Sequence, residues 1–216
     1  MSPRGRYDLY RGQTPSQTLG PYFHQGLLRT RHAFQIPGLC NDERDFAHAD
    51  LAPVGVVGER IVVEGRIIDG LGDGVVDGLI EVWQADALGR YRHPLDEGAP
   101  GIASDGFAGF GRCATGEGGR YAFTSIKPGR VPGPGGREQA PHLSLIVGAR
   151  GMARHAFSRL YFEGDAGLEE DPVLGRVAAR RRGTLIARFE GEADGMRRYR
   201  FDVRLQGENE TVFFDV

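Results

Sequence analysis

Arg198-Tyr-Arg-Phe-Asp-Val-Arg-Leu-Gln206 is the most regular stretch of this 216-residue chain. Tyr199, Phe201, Val203 and Leu205 alternate with Arg198, Arg200, Asp202 and Arg204. Side chains on a strand point to opposite faces in turn, so the stretch reads as a strand with one apolar and one charged face. Residues 61–68 and 79–85 read as sequential strands flanking the turn region Gly70-Leu-Gly-Asp-Gly74. Residues 120–125, 142–150, 159–163 and 211–214 complete the set of expected strands. Short strands separated by turn formers predict an all-β chain folded as an antiparallel β-sandwich. One helix is expected, over 169–182, with acids in its first turn and arginines in its last. Arg180-Arg181-Arg182 reads as its solvated end. Residues 1–58 show little periodicity and many turn formers, and read as an extended N-terminal arm. Residues 59–216 read as the sandwich domain, with no linker or internal repeat inside it.

Composition narrows the function. The formal net charge is −2, which argues against a nucleic-acid partner. Arginine supplies nearly all the positive charge, and Lys127 is the one lysine. No apolar run approaches the roughly 20 residues that span a bilayer, so no membrane partner is expected. Residues 1–13 are polar and lack a signal-peptide core. Cys40 and Cys113 provide no disulfide framework. Together these features predict a cytoplasmic protein. The glycine-rich turn at Gly70–Gly74 lacks the lysine of a phosphate-binding loop and reads as a turn between strands. The apolar body of Trp83 predicts a place in the sandwich core.

Two chemistry-bearing residues lie on the strand expected over 142–150. His142, Ser144 and Arg150 share a face by the strand period. At roughly 3.3 Å per residue, His142 and Arg150 stand about 26 Å apart along a straight strand. If both are functional, they serve two different sites.

Several blocks, in order, carry a family resemblance. They are Thr14-Pro-Ser-Gln-Thr-Leu-Gly-Pro-Tyr-Phe23, Ile80-Glu-Val-Trp-Gln-Ala-Asp86, Gly89-Arg-Tyr-Arg92, Ile126-Lys-Pro-Gly129 and Ala140-Pro-His142. Arg159-Leu-Tyr-Phe162, Tyr199-Arg-Phe-Asp202 and the tail Glu210-Thr-Val-Phe-Phe-Asp215 follow. Over about residues 13–216 the chain resembles the intradiol ring-cleaving dioxygenases, in particular the alpha chains of their two-chain members. The resemblance implies a prealbumin-like β-sandwich with an N-terminal arm. It implies ferric iron held by two tyrosines and two histidines, a hard cation met by phenolate oxygens. It also implies a small aromatic substrate, protocatechuate, with O2 as co-substrate.

The metal pattern is broken in this chain. Where the resemblance calls for H-x-H, the sequence reads His142-Leu143-Ser144. Where a tyrosine should follow the Lys-Pro-Gly turn, it reads Arg130-Val131. The loop after Tyr91-Arg92-His93 holds no second tyrosine between Pro94 and Pro100. Val131, His142 and Ser144 thus read as a degenerate centre that binds no iron. His24, His32, His48, His93 and His155 show no metal spacing among themselves. The resemblance therefore implies a hetero-oligomer in which Fe(III) is ligated by a partner beta subunit. It implies that Arg150 faces the substrate carboxylate in a shared site, with Thr18, Gly20, Pro21 and Tyr22 of the arm reaching the same place. A planar guanidinium suits a carboxylate. An intersubunit salt bridge or a strand-end surface charge at Arg150, and an arm that only joins subunits, stand as the structural alternatives. A single-chain catechol-type dioxygenase and a non-catalytic β-sandwich binding module stand as the functional ones.

Overall fold

The alternation in the C-terminal stretch survives folding, though its strand does not stay whole. Tyr199, Phe201 and Val203 are buried, while Asp202 is exposed. The chain is seen in a computed structural model that describes residues 49–96, 107 and 109–215. The strands are β1 (Arg60–Ile68), β2 (Leu79–Trp83), β3 (Phe110–Ala114), β4 (Arg120–Ile126), β5 (Val131–Pro132) and β6 (Glu138–Gln139). They continue as β7 (His142–Gly148), β8 (Ala156–Phe162), β9 (Ile186–Ala193), β10 (Met196–Arg200) and β11 (Val203–Arg204). The expected strand at 198–206 is thus the end of β10, a break at Phe201–Asp202, and β11.

Nine strands form one sheet, and β5 and β6 form a separate two-stranded ribbon. One half of the sheet runs β4-β1-β10-β9 and the other β8-β7-β2-β3. The halves join where β8 pairs with β9 through Tyr161↔Ile186 and Phe162↔Ala187. At the far side β3 approaches β4, so the sheet curls almost into a barrel. The antiparallel expectation is corrected here. β1 runs parallel to both β10 and β11, and β8 runs parallel to β9, so the sheet is mixed. The chain is all-β apart from short helical turns, and Ala179–Arg182 is its one α-helix, α1, among the described residues.

The core sits between the halves. From one side come Ile61, Val63, Ile67 and Phe123; from the other come Ile80, Val82, Leu143, Leu145, Val147, Leu160 and Phe162. These are alternate residues of their strands, as the period of two requires. The row on β1 passes through Gly65 because the chain at Phe201 crosses there: a Cβ at residue 65 would fall 1.7 Å from the Phe201 carbonyl oxygen. The end of the stretch read as arm belongs to this core. The amide of Leu51 donates to the Thr124 carbonyl oxygen at 2.8 Å, and Leu51, Ala52 and Val56 are buried in the core cluster.

Three further expectations are corrected. Trp83 lies outside the core: it follows inward-facing Val82 by one residue, so it faces out, half-buried, stacked on Tyr91 at 6.0 Å between ring centroids. The helix expected over 169–182 shrinks to a 3-10 turn at Leu174–Arg176 and the four residues of α1. Pro172 disfavours helical backbone at Asp171, and Asp171 instead gives its carboxylate to the amides of Val173 and Leu174 at 2.8 and 2.7 Å. Residues 211–214 form a single bridge, Phe157↔Phe214, in place of a strand. No helix among the described residues is long and apolar enough to cross a membrane.

Candidate functional site

The same alternation decides which residues meet on the outer face of the second half-sheet. On β7, Leu143, Leu145 and Val147 face the core, so His142, Ser144 and Ile146 face out. Register then places Tyr161 of β8 opposite His142 and Arg159 opposite Ser144, with Trp83 of β2 opposite Ser144 on the other side. The β5–β6 ribbon brings in the third degenerate position, since Val131 pairs with Gln139. Gln139 accepts a hydrogen bond at Oε1 from Nη1 of Arg159 at 2.5 Å. The structure therefore collects Val131, His142 and Ser144 about Arg159 and Gln139.

The Lys-Pro-Gly turn sets the approach of β5. The amide of Gly129 donates to the Asp86 carbonyl oxygen at 2.9 Å, which presses the turn against the turn Asp86–Gly89. At Gly89 φ is +78°, and a Cβ would fall 1.8 Å from the Arg130 carbonyl oxygen. Glycine is required there on both grounds.

The environment is largely dry. His142 is 3% exposed, and Tyr161 and Asp171 are fully buried. Nδ1 of His142 lies 2.8 Å from the Ala140 carbonyl oxygen. A carbonyl only accepts, so Nδ1 carries the proton. Burial, reinforced by the Arg159 charge, lowers the His142 pKa to about 4, and the ring is neutral at physiological pH. Burial likewise raises the Tyr161 and Tyr91 phenols above their ordinary value, against a smaller opposing pull from Arg159. Asp171 holds the covering segment in place: it accepts from the amide of Ala140 at 2.8 Å, from Val173 and Leu174, and from the Tyr161 hydroxyl at 3.2 Å.

These residues do not fit ferric iron. The donors at the three degenerate positions are one neutral imidazole, one hydroxyl and the apolar side chain of Val131, with a guanidinium directly across from the hydroxyl. The nearest phenols are held in the protonated form by burial. Among the described residues no three His, Cys, Asp or Glu side chains cluster as a metal site requires.

A second place lies at the opposite end of β7. Arg150 follows the strand in a turn and lines a cleft of about 770 Å³ with Asp77, Leu71, Val76, Met152 and Phe213. Its Nε pairs with Oδ2 of Asp77 at 2.8 Å, and its side chain stays 63% exposed. Leu71 and Val76 are exposed at the cleft margin. The cleft thus offers a cation, already paired with Asp77, in a lining that mixes apolar residues with Asp69 and Gln206. The structure separates Arg150 from His142 and Ser144, in keeping with two sites. Thr18, Gly20, Pro21 and Tyr22, and the loop 97–106, lie outside the described residues. His93 and His155 are both exposed, and His155 packs edge-on against Phe157 at 4.9 Å.

Sequence reasoning missed Arg159 and Gln139. A charged residue opening the otherwise apolar run Leu160-Tyr161-Phe162 was the available signal.

Comparison with known proteins agrees with this architecture. A family model described as Dioxygenase matches residues 41–207. The alpha chain of protocatechuate 3,4-dioxygenase from Burkholderia cepacia is 40% identical over 207 residues, covering 94% of this chain and 98% of that one. The beta chain from the same organism is 40% identical over 164 residues, 72% of this chain and 68% of its own length. Among solved structures, the dioxygenase domain of a dioxygenase carbohydrate-binding protein fusion from Streptomyces sp. SirexAA-E superposes with a TM-score of 0.57 at 22% identity, covering 74% of this chain and 88% of that one. The chain belongs to the intradiol dioxygenase family.

Proposed function

We propose that this chain is the alpha subunit of a hetero-oligomeric protocatechuate 3,4-dioxygenase. In this reading a beta subunit holds the Fe(III), and the pair carries out O2-dependent intradiol cleavage of protocatechuate to 3-carboxy-cis,cis-muconate. The observation that carries the proposal is a single conjunction: likeness to an alpha chain along nearly the whole length, together with loss of the donors a ferric centre needs. The loss also disfavours a single-chain catechol dioxygenase. Iron held by the beta subunit would supply the activation of the catechol; this chain's task is to bind and orient.

Arg150 is assigned the substrate carboxylate. It stands at the margin of a cleft of mixed polar and apolar lining, wide enough for one aromatic ring, and its ion pair with Asp77 holds the fork in place. Thr18, Gly20, Pro21 and Tyr22 are assigned to the same shared pocket through the arm. A cytoplasmic location completes the reading, in keeping with the free thiol of Cys113.

The test is co-expression with a beta-type chain carrying an intact Tyr…Tyr…His-x-His set. The expected outcome is a stable complex whose iron matches the beta chains in number and which consumes O2 with protocatechuate. The isolated chain should be colourless and iron-free. One ferric ion per isolated chain, with the red-brown colour of phenolate ligation, would overturn the assignment.

A further inference from the structure

We propose that Arg159 closes the degenerate centre to cations in its own right, over and above the missing ligands. Loss of donors alone leaves a weak site. A fixed positive charge where a metal's neighbours would sit makes it a repulsive one.

The register carries the argument. Arg159 is directly opposite Ser144 on the outer face of the β7–β8 pair, one diagonal step from His142. Its side chain is half-buried, and Nη1 is tied to Gln139 Oε1 at 2.5 Å. It therefore cannot swing freely into solvent. The acceptors it meets here, the Gln139 amide oxygen and the Tyr161 hydroxyl oxygen, are neutral. Among the described residues no carboxylate forms an ion pair with it. Asp171, the acid that meets Tyr161, is engaged by three backbone amides and the Tyr161 hydroxyl. The charge thus stays uncompensated in a low-dielectric setting, where repulsion of a second cation is strongest.

A divalent probe in the full-length chain tests this without substrate or partner, so its failure and failure of the alpha-subunit reading are distinguishable. Ser144→His places a second imidazole two residues from His142 on the same strand face, a spacing that suits Co2+ or Zn2+. Co2+ affinity is measured by calorimetry and visible absorption for S144H, S144H/R159Q, S144H/R159M and S144H/R159K. Circular dichroism and melting temperature confirm that each is folded. The neutral replacements should bind Co2+ at least about 30-fold more tightly than S144H alone, and R159K should remain as weak as S144H. Equal affinity of S144H and a folded neutral double variant would overturn the proposal. So would tight binding by S144H/R159K, which would make the obstacle bulk and not charge.

Discussion

Arg150 and Asp77 form an ion pair at 2.8 Å across the mouth of the cleft, with the arginine side chain 63% exposed. An exposed pair of this kind contributes only about 0–1 kcal/mol to stability. Arg150→Ala should therefore leave the melting temperature of the chain nearly unchanged. In the complex with the beta-type chain, the same substitution should remove a charge-assisted contact of about 1.5–3 kcal/mol, a loss of roughly 10- to 150-fold in kcat/KM for protocatechuate. Catechol, which has no carboxylate, should lose far less. Lysine should restore only part of the activity, since it cannot form the planar pair. Equal losses on both substrates would return Arg150 to a structural role.

Deleting residues 1–23 tests the arm. Leu51, Ala52 and Val56 already pack into the core, so the truncated chain should fold and keep its melting profile. Its complex with the beta-type chain should form more weakly or turn over more slowly. A fully active, undiminished complex would remove Thr18, Gly20, Pro21 and Tyr22 from the shared pocket.

His142 gives the chain a pH signature. Its pKa falls from 6.5 unfolded to about 4 folded, mainly through burial. Between those values the unfolded chain binds the extra proton, so stability falls as pH drops through 6.5 toward 4 and is fully present above that window. The loss is on the order of 3 kcal/mol. Denaturant titrations at pH 7.5, 6, 5 and 4 should show it, and His142→Gln should flatten the slope over the same range. A wild-type stability independent of pH from 7.5 to 4.5 would contradict the assigned environment.

Asp171 and Tyr199 predict opposite outcomes. Asp171→Ala strips the acceptor from four donors and leaves buried polar groups unpaired, at about 3 kcal/mol or more. The Tyr199 hydroxyl is buried with no hydrogen-bond partner among the described residues. Tyr199→Phe removes that unsatisfied group and keeps the ring contacts with Phe162 and Phe189. Its stability should match or exceed that of the parent by up to about 1–2 kcal/mol. Thermal melts of both variants at pH 7.5 decide the matter.

The strand period made much of this readable in advance. It found β1, β7 and the inward row Tyr199, Phe201 and Val203, and it separated Arg150 from His142. Applied one residue further, it would also have turned Trp83 outward. β9 gave no such signal: Arg188, Glu190 and Glu192 share it with a glycine, and it is a strand because β8 and β10 flank it. The meeting of Arg159 with Gln139 and Ser144 depends on register between strands far apart in sequence, which local pattern does not encode. The helix failed at Pro172 and Asp171, where local backbone bonds outcompeted a charge pattern that favoured a helix.

The parallel pairing of β1 with β10 and β11 also dictates an order of folding. β1 can zip with β4 early, through seven residue pairs from Arg60↔Ile126 to Arg66↔Arg120. Its other edge waits for Arg197–Arg200 and Val203–Arg204, close to the end of the chain. Until those residues arrive, Ile61 to Ile68 present an unpaired edge rich in β-branched residues, a template for wrong partners. The fold therefore has high contact order and should close slowly. Loss of even the last 20 residues or so would strand its first strand half-paired, which makes the C-terminus a segment on which soluble expression should depend.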